Sequence, residues 1–87
     1  MASYSIRWKQ SASKELKRLD RMMIPRVLAV VEALAAEPQP SGCKKLQGAE
    51  HLWRIRIGEY RLIYSIDGAI LCIESIKVGH RQSVYKK

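Results

Sequence analysis

The chain has 87 residues, enough for one domain with a thin core, since a body of this size buries only roughly 60% of the surface its unfolded form exposes. With 47% apolar residues and no Phe, packing falls to Ile, Leu, Val, Ala, Tyr and Trp, which suffice for one layer of helices on one sheet and leave little room for a buried cofactor. Sixteen Lys and Arg against eight Asp and Glu give a net charge of +8, a field that attracts polyanions and makes nucleic acid the first candidate partner.

The opening MASYSIRWKQ lacks the apolar run followed by small residues of a secretory signal, so the expected location is cytoplasmic. Within it Tyr4, Ile6 and Trp8 alternate with Ser3, Ser5 and Arg7, the period of a short strand. A first helix is expected over residues 11–20, with Ser11 as its N-cap and Ala12, Leu16 and Leu19 at helical spacing. Its other side carries Lys14, Lys17, Arg18 and Arg21, a pattern more often solvated than bound. Pro25 suits the first turn of a second helix, whose stripe of Val27, Leu28, Val31, Leu34 and Ala35 is stopped by Pro38 and Pro40. The apolar stretch 27–36 is interrupted by Glu32 and is about half of the roughly 20 residues that span a bilayer, so no membrane partner is expected. Residues 38–42 read as a connection rather than a linker, which leaves residues 1–87 as a single expected domain.

Residues 51–76 read as three strands separated by Gly58-Glu59 and Asp67-Gly68, pairs suited to type II′ and type I′ hairpin turns. A tight first turn sets Ile57 opposite Tyr60, Ile55 opposite Leu62 and Trp53 opposite Tyr64. The second is expected to set Leu62 opposite Ile73 and Tyr64 opposite Leu71, extending one apolar face on which the helices pack. Cys72 falls inside this apolar run, where a free thiol behaves as a small hydrophobe. Cys43, His51, Cys72 and His80 form a Cys2His2 inventory, but seven residues separate each Cys from its His, unlike a structural zinc site, so neither metal nor cofactor is expected.

The opposite face of the same strands sets Arg56 across from Arg61, with Arg54 two residues along. Like charges directly opposite cost roughly 0.2–1 kcal/mol, so stability alone does not favour this arrangement. The expected register also brings Glu74 opposite Arg61, yet one carboxylate does not balance three guanidinium groups, and the face reads as an anion site. Arginine suits the task, because its planar fork binds phosphate bidentately and keeps its charge at any working pH. The tail adds His80, able to exchange a proton near neutral pH, Arg81 for phosphate, Tyr85 to stack on a base, and Lys86 and Lys87.

Taken together, Lys45-Leu46-Gln47-Gly48, Trp53-Arg54-Ile55-Arg56, Tyr60-Arg61-Leu62-Ile63-Tyr64 and Val78-Gly79-His80-Arg81 with Val84-Tyr85 give the chain, over almost its whole length, a sequence that resembles the RelE-like toxins of the RelE/ParE toxin–antitoxin superfamily. The resemblance implies an α+β fold of order β-α-α-β-β-β, with two N-terminal helices on one face of a small, mainly antiparallel four-stranded sheet that the first strand also joins. It implies a toxin that cuts messenger RNA in the ribosomal A site without metal, silenced by a cognate antitoxin and reaching operator DNA only through the antitoxin complex.

By position, Arg61, Arg81 and Tyr85 match the family's catalytic arginines and tyrosine, while Arg54 and Arg56 occupy the places of two strand lysines. That last match is a departure: an arginine practically never gives up its proton, so these two are clamps rather than general bases. Proton transfer is expected of His80 and Tyr85, with Lys44, Lys45, His51 and Glu50 as weaker candidates, and Lys44, Lys45, Lys77, Lys86 and Lys87 are expected to hold the RNA backbone. Two other readings stay open, a ParE-like inhibitor that binds DNA gyrase and an RNA- or ribosome-binding module without catalysis. The joint presence of Arg61, Arg81 and Tyr85 argues against the first of these.

Overall fold

The computed structural model describes residues 3–39, 43–45 and 51–78. The expectations for Glu50, His80, Arg81, Tyr85, Lys86 and Lys87, and for the stop at Pro40, lie outside the described residues. Strand β1 (Ser5–Trp8) forms where the alternation puts it, and helix α1 (Gln10–Lys17) follows almost at once. Ser11 is not the N-cap; Lys9 is, and it makes no side-chain capping bond. The reason lies in the sheet, because the Lys9 N–H is still donated to the Ile73 carbonyl at 3.1 Å and the chain can turn into a helix only from there. At the other end α1 stops before Asp20, which instead starts helix α2 (Met23–Ala36) by accepting the Met22 N–H on its side chain and the Met23 N–H on its carbonyl. Pro25 sits in the first turn of α2, where its missing N–H costs no hydrogen bond, and Val27, Val31, Leu34 and Ala35 form the buried stripe.

The sheet has five strands in the order β1-β5-β4-β3-β2, where β2 is Lys44–Lys45, β3 Leu52–Ile57, β4 Tyr60–Asp67 and β5 Ile70–Val78. Strand β1 pairs parallel to β5, and the other pairings are antiparallel. The fifth strand, β2, is the one the sequence did not announce, since two residues carry no readable period. The first hairpin has the expected register, with Ile57 opposite Tyr60, Ile55 opposite Leu62 and Trp53 opposite Tyr64. Gly58 supplies the positive φ, +59°, at the first turn position, as a type II′ turn requires.

The second hairpin differs from expectation. Asp67 pairs with Ile70, so the turn residues are Gly68 and Ala69, and Gly68 takes the positive φ of +60° at the first position. A turn centred on Asp67-Gly68 would have needed a positive φ at Asp67, which no non-glycine among the described residues adopts. Tyr64 therefore faces Ile73 rather than Leu71. A second shift follows between Ile63 and Tyr64: Ile63 pairs with Ser75, which leaves Glu74 as an extra residue in β5. Leu62 consequently faces Ile76, not Ile73, and Arg61 faces Lys77, not Glu74.

The bulge keeps the apolar face in phase, because Leu71, Ile73 and Ile76 all point inward despite the spacing of three between the last two. With Leu62, Tyr64 and the buried stripe of α2 they make the core, each fully buried aliphatic side chain contributing roughly 1.5–3 kcal/mol relative to exposure. The edge of β5 beyond its pairing with β1 is covered by α1, whose Glu15 carboxylate accepts the Ile76 N–H at 2.8 Å. No helix among the described residues is long and apolar enough to cross a membrane.

Glu74 accepts the Ser65 hydroxyl at 2.8 Å on one oxygen and lies 2.8 Å from the Lys9 ammonium on the other. Burial pushes its carboxyl up, but the hydrogen bonds from Lys9 and Ser65 outweigh that and hold it below the ordinary glutamate range. A carboxylate with a depressed folded-state pKa adds stability above its ordinary titration range and loses it as pH falls through the folded value. Glu74→Gln is accordingly expected to lower stability at neutral pH by about 1 kcal/mol. In acid, once the parent's own Glu74 is protonated, the two proteins converge. Urea denaturation across the acid range checks both halves of this expectation.

Candidate functional site

With Tyr60, Leu62 and Tyr64 turned to the helices, the alternation of β4 presents Arg61, Ile63 and Ser65 on the opposite face, and β3 presents Arg54 and Arg56 there. Arg56 is directly across from Arg61, as the sequence indicates. Because of the bulge, Arg61 is in turn directly across from Lys77, so three cations form one row over β3, β4 and β5. In the neighbouring row Lys44 of β2 stands opposite Arg54. Lys44, Arg54, Ile55, Arg56 and Arg61 line a pocket of about 180 Å³.

The carboxylate expected to temper this cluster is elsewhere, bound to Lys9 and Ser65. Among the described residues no ion pair involves Lys44, Arg54, Arg56 or Arg61. Lys77 has a contact of 3.6 Å to Glu15, but with its side chain 62% exposed the pair is screened and worth less than about 1 kcal/mol. Among the described residues the cluster is thus a set of cations without a carboxylate partner, an arrangement suited to an anion.

The turn between β3 and β4 fixes the geometry. Arg56 and Arg61 flank it, and the Arg56 Nε donates a long bond, 3.4 Å, to the Gly58 carbonyl. On the other side of Gly58 a side-chain carbon would meet Met23 at 3.4 Å and an Arg26 nitrogen at 3.6 Å, so the hairpin tip is seated against the start of α2. A residue with a side chain there would face both that contact and the positive φ.

Of the residues expected in the site, the fold brings together Arg54, Arg56, Arg61 and Lys44, with Lys77 next in the row. Lys45 pairs with Trp53 and so occupies the other side of the sheet, and His51 is exposed and outside the pocket lining. The place of Lys77 beside Arg61 was missed, although a signal existed: in Ile73-Glu74-Ser75-Ile76 the apolar spacing changes from two to three. Among the described residues no group of three or more His, Cys, Asp or Glu side chains gathers as a metal site, and Cys43 and Cys72 are free thiols.

The family model described as the ParE toxin of the type II toxin–antitoxin system, parDE, matches residues 6–85. The chain is 31% identical over 78 residues to a putative toxin RelE1 of Methanocaldococcus jannaschii, with 84% of each chain covered. It is similar to a chain of the archaeal RelE–RelB complex from Pyrococcus horikoshii, with a TM-score of 0.80, 29% identity, and coverage of 91% of this chain and 98% of that one. The fold is also that of the isolated Escherichia coli RelE toxin, with a TM-score of 0.81, 21% identity, and coverage of 95% and 92%.

Arg61 stands at the centre of the cation row, and Arg61→Ala relieves repulsion on both sides. The variant is expected to stay folded and to gain roughly 0.2–1 kcal/mol in urea denaturation at low salt. Its binding of tripolyphosphate, followed by calorimetry, should weaken at the same time. Stability that falls instead would show that the guanidinium holds the sheet together rather than serving a ligand.

Proposed function

The chain belongs to the RelE/ParE superfamily of type II toxin–antitoxin toxins, and from that premise we propose that it is a metal-independent endoribonuclease that cuts messenger RNA on the translating ribosome and so inhibits translation. The observation that supports this reading best is the row Arg56, Arg61 and Lys77 beside a pocket walled by Lys44 and Arg54, with no carboxylate paired to the pocket cations among the described residues. Cleavage of this kind has the 2′-hydroxyl attack its own phosphate. It needs stabilisation of the phosphorane, removal of the nucleophile's proton, and a proton for the leaving oxygen. Arg61 and Arg81 serve the first need, and Arg54 and Arg56 clamp the flanking backbone. His80 and Tyr85 are the proposed proton carriers, since arginines at the strand positions hold their protons too firmly. Lys44, Lys77, Lys86 and Lys87 extend the backbone contacts, and Lys45, which the register puts on the helix side of the sheet, is not among them. A ribosome that orders the substrate would supply much of the remaining rate through positioning.

The partner that restrains the toxin is proposed to be an acidic antitoxin, in keeping with the net charge of +8 and with the RelE–RelB assembly of the Pyrococcus protein. Contact with operator DNA would come only through that complex. A gyrase-directed, ParE-like activity is the second reading, favoured by the description of the matching family model. An arginine-walled pocket on a sheet face supports phosphate chemistry better.

Primer extension on transcripts after brief expression is expected to reveal new 5′ ends within translated codons, with no change in the supercoiling of a reporter plasmid. With purified ribosomes the products should carry a 2′,3′-cyclic phosphate or 3′-phosphate and a 5′-hydroxyl, and cutting should persist when EDTA is added to ribosomes stabilised by polyamines. Arg61→Ala is expected to slow single-turnover cleavage by roughly 10²–10³, the scale for one lost donor to a developing anion. Intact transcripts with relaxed or altered plasmid topology would shift the function to gyrase.

A further inference from the structure

Tyr64 is fully buried at the middle of β4, yet it carries a hydroxyl that the phosphate chemistry does not use. That hydroxyl donates to the Pro38 carbonyl at 2.6 Å. Burial first, and the Cys43 thiol second, push the phenol well above the usual tyrosine range. Pro38 and Cys43 flank the connection that leads from α2 into β2, and Cys43 directly precedes Lys44. In register, Tyr64, Trp53 and Lys45 occupy one cross-strand row on the helix side of the sheet, while Lys44 joins the pocket on the other side.

Strand β2 has little of its own to hold it. It is two residues long, lies at the sheet edge, and makes two register pairs with β3. So short an edge strand opens easily unless something beyond its ladder ties it down. We infer that Tyr64 is a positioning residue for the anion pocket: its hydroxyl bond to the Pro38 carbonyl ties down the chain ahead of β2 and so holds Lys44 in the pocket wall beside Arg54. The inference rests on reading the pocket as the RNA site. It adds a core residue that touches no substrate and acts through Lys44.

The test uses a short, fluorescein-labelled single-stranded RNA with 2′-O-methyl riboses, which cannot be cut, and anisotropy titrations over a range of salt. Lys44→Ala is expected to weaken binding roughly three- to tenfold and to lower the salt slope by about 0.7, one phosphate contact on a single strand. Tyr64→Phe removes no charge, yet it is expected to lower both affinity and salt slope toward the Lys44→Ala values and to add nothing in the Lys44→Ala background. Pro38→Gly keeps the accepting carbonyl but loosens the backbone presenting it, and should act in the same direction, again only while Lys44 is present. This second variant decides the matter if Tyr64→Phe does not fold. Weakening by equal factors in both backgrounds, or an unchanged salt slope, overturns the positioning role. If Lys44→Ala and Arg61→Ala both bind like the parent, the pocket is not the RNA site and the inference falls with that reading.

Discussion

Between the hydroxyl of Ser65 and the ammonium of Lys9, the Glu74 carboxylate is held by two partners, and around it β5 gains one residue relative to β4. That single insertion governs both faces of the sheet. Toward the helices it restores the inward phase, so that Ile76 follows Ile73 into the core. Toward solvent it withdraws the one acidic side chain expected beside Arg61 and brings Lys77 into its place. A bulge re-aims side chains in this way because strand alternation has a period of two, and one extra residue reverses the sides for everything beyond it.

The cation face is an arrangement that folding alone would not choose. Placing Arg56 against Arg61, and Arg61 against Lys77, costs a small amount at each step, and the cost is offset on the other side of the same strands. There Leu62, Tyr64, Leu71 and Ile73 are sealed beneath α2, with no buried side-chain polar atom among the described residues left without a partner. The two faces are therefore coupled: the core holds the strands that keep like charges close, and among the described residues those of the pocket have no carboxylate partner.

Rigidity is also unevenly spread. Strands β3, β4 and β5 are long and mutually paired, whereas β1 is secured by its ladder to β5 and by the Tyr4 N–H on the Ala35 carbonyl. At the far edge β2 depends on two pairs and on whatever ties the chain before it. Pocket walls drawn from such different elements respond differently to perturbation, with the arginines on the long paired strands of the hairpin and Lys44 on a two-residue edge strand.

The pattern of apolar residues by itself determined the two helices, the strands of the meander, the tight turn at Gly58-Glu59 and the Arg56–Arg61 pairing. Each of these follows from local periodicity and turn chemistry, which a chain carries in its residue order. The motifs in residues 45–48, 53–64 and 78–85 likewise pointed to the superfamily that the comparisons bear out. Where α1 begins and the bulge at Glu74 involve contacts between distant segments, whereas Asp20 acts on Met22 and Met23 of its own turn and the shift to Gly68-Ala69 follows the glycine that takes the positive φ. The Lys9 N–H at the start of α1 is donated to Ile73, and the bulged Glu74 is held by Lys9 and Ser65. Strand β2 and the Tyr64 hydroxyl bond to Pro38 are of the same kind. Two residues have no period and a lone tyrosine names no partner, so only the closed tertiary structure could bring Lys44 to the arginines.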